Sequence, residues 1–209
     1  MDEIKDRVAA VVVTYNRAEM LRQCLMSLQK QTMPCDILVV DNASTDDTQA
    51  LVQRAAQHYA SIFYRNTGEN LGGAGGFNFG MRWAVEAGYA FVWVMDDDCF
   101  PEPVALEKLL DADRLLQGGY GWLSSVALWT DGRECRMNRP KIKKNFYDRI
   151  ELLRDGILLA EQATFVSLFL KAETIRAVGL PVKEFFIWGD DIEYTRRITI
   201  REKMPCYVV

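Results

Sequence analysis

Short apolar runs alternate with amphipathic stretches along the first half of the chain. The runs consist mainly of β-branched and aromatic residues, which predicts buried strands, and they cover residues 8–14, 37–40, 61–65 and 89–95. Between them, apolar positions recur every three or four residues, the spacing of an amphipathic helix. Strands that alternate with helices indicate βαβ units, so we predict an α/β fold with a mostly parallel central sheet flanked by helices.

Helix starts and the less regular second half can also be placed. Asn16, with Glu19 three residues later, is typical of a capping box and predicts a helix from there to about Gln31. Ser44 and Asp47 predict a second helix start in the same way. The remaining predicted elements are a glycine-rich loop at 70–77, helices at 78–86, about 102–116 and 190–201, and strands at 121–128 and 163–170.

Composition places the chain among soluble globular proteins. It has 209 residues, of which 49% are hydrophobic and 26% are charged. Since no linker or repeat interrupts it, we predict one domain over 1–209. The last three residues, Tyr207, Val208 and Val209, are apolar, whereas natural domains usually end in polar residues. We therefore expect a domain that is truncated at its C-terminus.

Cysteine usage and charge narrow the compartment and the partners. Five cysteines occur without Cys-x-x-Cys spacing, so neither a zinc nor a redox motif is indicated. The polar sequence 1–6 is unlike a signal peptide, and no apolar run approaches the length of a membrane span, which favours a cytoplasmic protein. The net charge of −4 argues against nucleic acid as a partner.

The charge is unevenly distributed. Segment 133–154 contains eight basic and three acidic residues, a net charge of +5 within an acidic chain. The segment can be a solvated basic face. Alternatively, it can contact anionic lipid headgroups or a phosphate-bearing acceptor.

Two familiar nucleotide motifs do not fit the glycine-rich segment. A dinucleotide fingerprint that begins at Gly73 requires glycine at position 78, which is Asn78. A P-loop that begins at Gly75 requires Lys followed by Ser or Thr, and this chain has Met81 and Arg82 there. The glycines can still bring backbone N–H groups close to an anion. Close helix packing is the alternative explanation.

Two acidic clusters are candidates for chemistry. Asp96, Asp97 and Asp98 follow a hydrophobic strand, at the end where α/β sheets bind ligands. In an extended chain Asp96 and Asp98 project to the same side and can share a divalent cation, although a solvated acidic turn would have the same sequence.

The second cluster opens the last predicted helix. Asp190 as N-cap with Glu193 forms a capping-box variant, which explains both residues without a function. This capping pattern does not explain Asp191. A carboxylate beside the aromatic residues Trp188 and Tyr194 suits a general base or a sugar contact.

Together these motifs resemble a known family. The segments are Val11-Val12-Val13-Thr14-Tyr15-Asn16-Arg17, Val39-Val40-Asp41-Asn42-Ala43-Ser44-Thr45-Asp46, Asn70-Leu71-Gly72-Gly73 and Asp96-Asp97-Asp98. In this order and spacing they are similar to family 2 glycosyltransferases with the GT-A fold. The longer segment 70–77 and the run Trp188-Gly189-Asp190-Asp191 most resemble bacterial galactofuranosyltransferases and rhamnosyltransferase-like enzymes.

The resemblance implies roles for individual residues. The residues implied to hold the nucleotide are Thr14, Tyr15, Asn16, Arg17, Asp41 and Asn42. Those implied to lie beside the diphosphate and donor sugar are Asn70, Gly72, Gly73 and Asp96. Asp96 and Asp98 match the Asp-x-Asp motif that binds Mn²⁺ or Mg²⁺. Asp191 matches the usual position of the catalytic base, with Asp190 as the second candidate.

The resemblance also implies an activity. It predicts an inverting, metal-dependent transfer of a galactofuranose- or rhamnose-like sugar from a UDP- or dTDP-sugar. The implied acceptor is a saccharide or a lipid-linked molecule in bacterial cell-surface polysaccharide synthesis. The implied location is the cytoplasm, with peripheral contact to the inner face of the plasma membrane through 133–154 as one option.

One feature departs from the family pattern. A histidine after the late helix and a following strand commonly completes the metal site, whereas this chain has only His58, in the second predicted helix. We expect the missing ligand to lie beyond Val209, or the metal to be held by fewer protein groups. A nucleotidyltransferase is an alternative, but only Arg17 supplies a charge after the first strand. A non-catalytic, membrane-associated binding module is the third possibility.

Overall fold

The computed structural model describes residues 7–209, and the polar sequence 1–6, on which the absence of a signal peptide was predicted, lies outside them. The described strands are β1 (Val8–Thr14), β2 (Asp36–Asp41), β3 (Ile62–Asn66), β4 (Phe91–Asp96), β5 (Leu123–Ser124), β6 (Lys141–Ile142), β7 (Leu158–Gln162), β8 (Leu168–Lys171) and β9 (Cys206–Val208). The α-helices are α1 (Ala18–Leu28), α2 (Thr48–His58), α3 (Gly72–Glu86), α4 (Ala105–Leu115), α5 (Ala172–Val178) and α6 (Asp190–Arg196). Short 3-10 segments cover Arg136–Asn138, Phe146–Asp155 and Lys183–Phe185, and a π-helical turn, Arg197–Arg201, continues α6.

These strands form one sheet in the order β3-β2-β1-β4-β8-β5-β9-β7-β6. The α/β prediction is confirmed, but the sheet is mixed rather than mostly parallel. Strands β1 to β4 pair in parallel, whereas β8 is antiparallel to both β4 and β5. Parallel neighbours need a crossover connection, usually a helix, and the irregular basic stretch of the second half has no regular α-helix to provide one.

Helices cover both faces of the sheet. Side chains of β1 alternate between the two faces, so that Ala10 and Val12 join one core cluster and Val11 and Val13 join the other. The first cluster takes its helical residues from α1, α2 and α4, and the second takes them from α3, α5 and α6. All seven residues of β1 are buried, which explains its continuous apolar run.

Two predicted helix starts are wrong, by one residue at α1 and by three residues at α2. Helix α1 begins at Ala18, with Arg17 rather than Asn16 at the N-cap. Asn16 is left-handed (φ 53°), and its Oδ1 accepts the backbone N–H of Thr45 at 2.7 Å. Asparagine tolerates this conformation, so it links two loops rather than capping a helix. Helix α2 begins at Thr48, and neither Ser44 nor Asp47 caps it with a side chain.

The glycine-rich segment is not a loop. Helix α3 begins at Gly72 and therefore contains the glycines that were predicted to precede it. A Cβ on Gly76 would lie 2.5 Å from Val13 Cγ1, and one on Gly80 would lie 2.3 Å from Val11 Cγ1. The glycines allow the helix to pack closely on β1, and this packing overrides their low helix propensity. Close helix packing, one of the two alternatives considered for these glycines, is observed at Gly76 and Gly80.

The second half is less regular than predicted. The strand predicted over 121–128 is limited to Leu123–Ser124, and the one predicted over 163–170 is observed as β8, Leu168–Lys171. The helix predicted over 190–201 is present as α6 and its π-helical continuation.

Substitution of Gly80 tests the close packing of α3. We expect Gly80→Ala to lower the free energy of unfolding by about 1–3 kcal/mol, because its methyl group overlaps Val11 and crowds Val40. Gly73→Ala is the matched control, since a Cβ there meets no atom within 4 Å, and it should leave stability unchanged or slightly raised. Urea denaturation measures both. Equal stability of the two variants would contradict the close-packing explanation.

Candidate active site

Three parallel strands bring polar residues to one edge of the sheet. Thr14, Asp41 and Asp96 are the last residues of β1, β2 and β4. Thr14 is in register with Asp41, and Asp96 is in register with the preceding residue, Val13. Because the carboxyl ends of parallel strands meet at one edge, side chains far apart in sequence become neighbours there. We call this the site edge.

The acidic triplet is a turn rather than an extended strand. Strand β4 ends at Asp96, and the N–H of Cys99 donates to the Asp96 carbonyl at 3.2 Å. The prediction that Asp96 and Asp98 project together from an extended chain is therefore wrong in its geometry. A tight turn, rather than strand pleating, sets their separation.

Asp97 and Arg17 join this turn to the loop after β1. The Thr14 hydroxyl donates to Asp97 Oδ2 at 2.7 Å. The Arg17 guanidinium lies 3.1 Å from Asp97 Oδ1 and 2.9 Å from Asp98 Oδ2. Asp97 is buried and Asp98 is exposed. Sequence reasoning assigned no role to Asp97, yet it fixes both Thr14 and Arg17 in place.

The buried side chain of Asp41 links the ends of β2 and β3 through hydrogen bonds. This side chain is fully buried and accepts the Ser44 N–H at 2.8 Å and the Tyr64 hydroxyl at 2.6 Å. Asn66 donates to the same carboxylate at 3.3 Å. Burial and the bond to Asp41 raise the pKa of Tyr64 to about 12. Sequence analysis missed Tyr64 and Asn66, because only the register of β3 brings them to Asp41.

Residues around the N-terminus of α3 are tied together by backbone groups. Asn70 Oδ1 accepts the Gly72 N–H at 2.9 Å, and Asn42 Nδ2 donates to the Gly72 carbonyl at 2.9 Å. Among residues 7–209, Asn42 Oδ1 is buried without a hydrogen-bond partner. These bonds bring the predicted residues Asn42 and Asn70 to Gly72, beside Gly73. The space around Gly73 is open.

A strap formed by residues 183–188 lies across this helix end. The N–H of Ala74 donates to the Phe186 carbonyl at 3.0 Å. A Cβ on Gly72 would lie 2.1 Å from that carbonyl oxygen, and Gly72 has φ +70°, so only glycine fits there without strain. Phe186 itself has φ 62°, which is rare for a bulky residue. The strap leads directly into the second acidic cluster.

This second cluster begins α6. Gly189 (φ 93°), not Asp190, occupies the N-cap, so the predicted capping box of Asp190 and Glu193 is wrong. Asp190 is 5% exposed, whereas Asp191 is half-buried and its Oδ1 accepts the Ile192 N–H at 2.6 Å. The left-handed glycine turns the chain so that Asp190 enters the interior.

The aromatic residues beside this cluster divide into two groups. Tyr194 is fully buried and donates to the Gly179 carbonyl at 3.0 Å, so it is a packing residue rather than a sugar contact. Phe185, Phe186 and Trp188 are exposed, Trp188 by 79%. These exposed rings remain available to a ligand.

The two acidic clusters are electrostatically coupled. Burial, followed by the charges of Asp98, Asp97 and Asp190, raises the pKa of Asp96 to about 7. Burial and the neighbouring Asp191 raise the pKa of Asp190 to about 6. Burial also raises the pKa of Asp191. The charge of Asp190 therefore acts on Asp96, which is 94 positions away in sequence, and repulsion among these carboxylates favours a bound cation.

The donor set at the site edge is compatible with a hard divalent cation. Within residues 7–209, no three or more His, Cys, Asp or Glu side chains are arranged to hold a metal ion by themselves. His58 ends α2, a crossover helix that runs away from the site edge. Mg²⁺ and similar ions are commonly held by one or two carboxylates together with substrate phosphates. Asp96 and Asp98 fit that smaller set.

Comparison with known proteins adds an independent observation. The family model described as glycosyl transferase family 2 matches residues 9–116. The chain is 33% identical over 208 residues to galactofuranosyltransferase GlfT1 of Mycolicibacterium smegmatis, covering 95% of this chain and 67% of that protein. It is 37% identical over 202 residues to undecaprenyl-phosphate mannosyltransferase of Micrococcus luteus, covering 91% of this chain and 77% of that protein.

Solved structures share the fold at lower identity. S. aureus TarS 1–349 matches with a TM-score of 0.69 and 18% identity over 97% of this chain. Mannosyltransferase PcManGT from Pyrobaculum calidifontis, solved with GDP-Man and Mn²⁺, matches with a TM-score of 0.66 and 21% identity over 98% of this chain. The chain spans 58% and 57% of these two structures, and about two thirds of the GlfT1 protein.

The crowding around Asp96 makes a testable prediction about pH. The ordinary pKa of 3.8 is raised to about 7 in the folded protein, so the folded state retains a proton that the unfolded state loses. Asp96 therefore destabilises the fold increasingly from about pH 4 to about pH 7. We expect Asp96→Asn to be more stable than wild type by about 2 kcal/mol at about pH 8, after allowance for solvent screening.

Urea denaturation across pH measures this difference, which should shrink toward about pH 4, where Asp96 becomes protonated in the unfolded state as well as in the folded state. Glu86→Gln is the control, since Glu86 is exposed at the far end of α3 and should show no such trend. An Asp96→Asn protein that is less stable than wild type at about pH 8 would contradict the crowding.

Proposed function

This chain belongs to glycosyl transferase family 2, and on that premise we propose that it transfers a sugar from a nucleotide-diphosphate donor to a saccharide or lipid-linked acceptor. The transfer inverts the configuration at the anomeric carbon of the sugar. Family membership confirms the resemblance carried by its motifs, and the GT-A fold predicted from them is confirmed as well. The observation that carries the proposal is that the ends of β1, β2 and β4 bring Thr14, Asp41 and Asp96 to the site edge, where the charge of Asp190 also acts on Asp96. One cluster serves the donor and the other serves the acceptor.

The donor is proposed to lie along the ends of β1, β2 and α3. Tyr15, Asn16 and Arg17 are exposed at this edge and would contact the base and ribose, with Thr14, Asp41 and Asn42 supporting them from below. The diphosphate would lie by Asn70, Gly72 and Gly73, where the open Gly73 leaves room for it. UDP- or dTDP-linked galactofuranose- or rhamnose-like sugars are the proposed donors. A UDP complex of TarS, which shares the fold, is consistent with a uridine nucleotide.

A divalent cation is the proposed cofactor at the site edge. Asp96 and Asp98 would hold Mn²⁺ or Mg²⁺, which when bound neutralises the charge that develops on the departing diphosphate. The raised pKa of Asp96 means that its charged form lacks full compensation within the protein. Arg17 is engaged by Asp97 and Asp98, which supports a separate cation beside Asp96.

Asp191 is proposed as the general base, and Asp190 is the second candidate. An acceptor hydroxyl needs a carboxylate within hydrogen-bond reach to take its proton as it attacks the sugar. Asp191 is the more accessible of the pair, and burial raises its pKa, the direction that favours proton uptake. The charge of Asp190 acts on Asp96. Asp190 would therefore lie between the donor, on the Asp96 side, and the acceptor, on the Asp191 side. A single displacement needs no protein nucleophile and inverts the sugar.

The acceptor side is proposed to include the exposed aromatic residues of the strap. Phe185 and Trp188 lie within six residues of the base candidate and are open to solvent, as expected for rings that pack against a sugar. The similarity to an undecaprenyl-phosphate mannosyltransferase favours a lipid-linked acceptor. Synthesis of bacterial surface polysaccharide at the cytoplasmic face of the membrane is the proposed setting. Family membership disfavours the nucleotidyltransferase alternative.

Replacement of the proposed base tests this function. The protein is incubated with a panel of UDP- and dTDP-sugars and candidate acceptors, and release of nucleoside diphosphate is measured. We expect Asp191→Asn to reduce kcat by about 10²–10⁴-fold, the usual contribution of general base catalysis, while donor affinity is retained.

Glu86→Gln is again the matched control, because the fifteen-residue α3 places it roughly 20 Å from the site edge. It should keep wild-type turnover. Undiminished turnover by Asp191→Asn would move the base elsewhere, and a wild-type enzyme that releases no nucleotide from any donor of the panel would contradict the proposed function.

A further inference from the structure

A small hairpin projects from the sheet after β5. Leu128 and Glu134 form an antiparallel bridge, and the Trp129 N–H donates to the Arg133 carbonyl at 2.7 Å to close the turn. Below the bridge, the N–H of Cys135 donates to the Ala127 carbonyl at 3.1 Å. Cys135 is buried at the base of the hairpin.

The hairpin exposes large apolar side chains that a soluble protein would ordinarily bury. Leu128 is 60% exposed, Trp129 54% and Met137, just after the hairpin, 73%. Val126 is exposed as well. A single exposed apolar residue needs no explanation, but four on one short projecting element indicate an interaction surface.

Basic side chains share this surface. Trp129, Asp131, Arg133, Glu134, Arg136 and Met137 line one cleft of about 580 Å³. The two acids there are masked by ion pairs, Asp131 with Arg133 at 3.6 Å and Glu134 with Arg139 at 3.1 Å. We call the following set the hairpin surface: Val126, Leu128, Trp129, Arg133, Arg136 and Met137.

The position of the hairpin relates it to the candidate active site. Strands β4 and β5 are both antiparallel to β8 and therefore run in the same direction. Ser124, the last residue of β5, is in register with Leu168 of β8, which pairs with Val94. The hairpin thus leaves the sheet at the site edge, level with the end of β4.

We propose that the hairpin surface docks on an anionic lipid bilayer and turns the site edge toward it. Tryptophan favours the boundary between headgroups and acyl chains, Leu128 and Met137 can enter the apolar layer, and arginines pair with lipid phosphates. The surrounding segment 133–154 has a net charge of +5 in a chain of net charge −4, which orients the protein toward a negative surface. Among residues 7–209, no helix has the length and apolarity to cross a bilayer.

The orientation part of this inference rests on the proposed function, since an acceptor with a lipid anchor lies in the membrane plane. The binding part does not, because it needs neither donor nor acceptor. Sequence analysis offered segment 133–154 as a basic contact. The structure adds the apolar residues 126–129, which precede that segment, and shows where they project.

Vesicle sedimentation tests the docking. The protein is mixed with vesicles of phosphatidylcholine alone or with phosphatidylglycerol added, at low and high salt. We expect binding to the phosphatidylglycerol vesicles that weakens with salt. The double variant Trp129→Ser with Met137→Ser should bind about tenfold more weakly, because it removes apolar area that becomes buried when the protein docks on the bilayer. Arg133→Gln with Arg136→Gln should lose a similar factor, about tenfold, on these vesicles only.

Tyr59→Ser is the matched control. Tyr59 is an exposed aromatic residue that follows α2, the crossover helix between β2 and β3, at the edge opposite the site. This variant should bind like wild type, and unchanged melting temperatures should show that all variants are folded.

Several outcomes would overturn the inference. They are absence of wild-type binding to the phosphatidylglycerol vesicles, binding that the hairpin variants leave unchanged, and binding that Tyr59→Ser weakens equally. A concentration-dependent dimer that Trp129→Ser dissolves, without vesicle binding, would instead assign the hairpin surface to a second copy of the chain. A protein that does not bind vesicles would still transfer sugar to soluble acceptors if the proposed function is correct. Failure of docking is therefore distinguishable from failure of the proposed function.

Discussion

Repulsion among carboxylates at the site edge is the constraint on which the rest of this structure depends. Asp96 is partly buried. This burial, together with the charges of Asp98, Asp97 and Asp190, raises the pKa of Asp96 to about 7. Such a cluster destabilises the fold unless other interactions offset it. The Thr14 hydroxyl and the Arg17 guanidinium engage Asp97 and Asp98, so part of the charge is neutralised by the loop after β1. The remainder is available for a bound cation.

A backbone contact links helix α3, which packs on the parallel half of the sheet, to the strap that leads into the late helix. The Phe186 carbonyl accepts the Ala74 N–H at the start of α3, and Gly72 leaves the space that this carbonyl needs. From Phe186 the strap leads to Gly189, whose left-handed conformation places Asp190 in the interior. Displacement of the strap would therefore alter both the donor-side glycines and the acceptor-side carboxylates.

The predictable part of the molecule is the part with strong local patterns. Strands β1 to β4 follow long apolar runs, and the convergence of Asp41 and Asp96 follows from the rule that parallel strands end at one edge. Helix α3 was misplaced because glycine has poor helix propensity, and only tertiary contacts with Val11 and Val13 show why it is tolerated. The mixed half of the sheet has strands of two to five residues, too short for a periodic signal.

Site contacts that depend on register or strain were beyond sequence reasoning. Tyr64 reaches Asp41 only through the pairing of β3 with β2. Asp97 was indistinguishable from its acidic neighbours until its bond to Thr14 was seen. The capping motifs at Asn16 and Asp190 were misleading because both segments adopt left-handed turns, at Asn16 itself and at Gly189. Local sequence rules assume extended residues at such positions.

The central claim is that the carboxylates at the site edge bind a nucleotide diphosphate through a divalent cation. Calorimetric titration of UDP into the wild-type protein and into Asp96→Ala, each with and without Mn²⁺, tests it most directly. The account predicts that Mn²⁺ strengthens UDP binding to the wild type by about tenfold or more, the equivalent of about 1.4 kcal/mol, and leaves Asp96→Ala unchanged. Equal UDP affinity of the wild type with and without Mn²⁺ would contradict it.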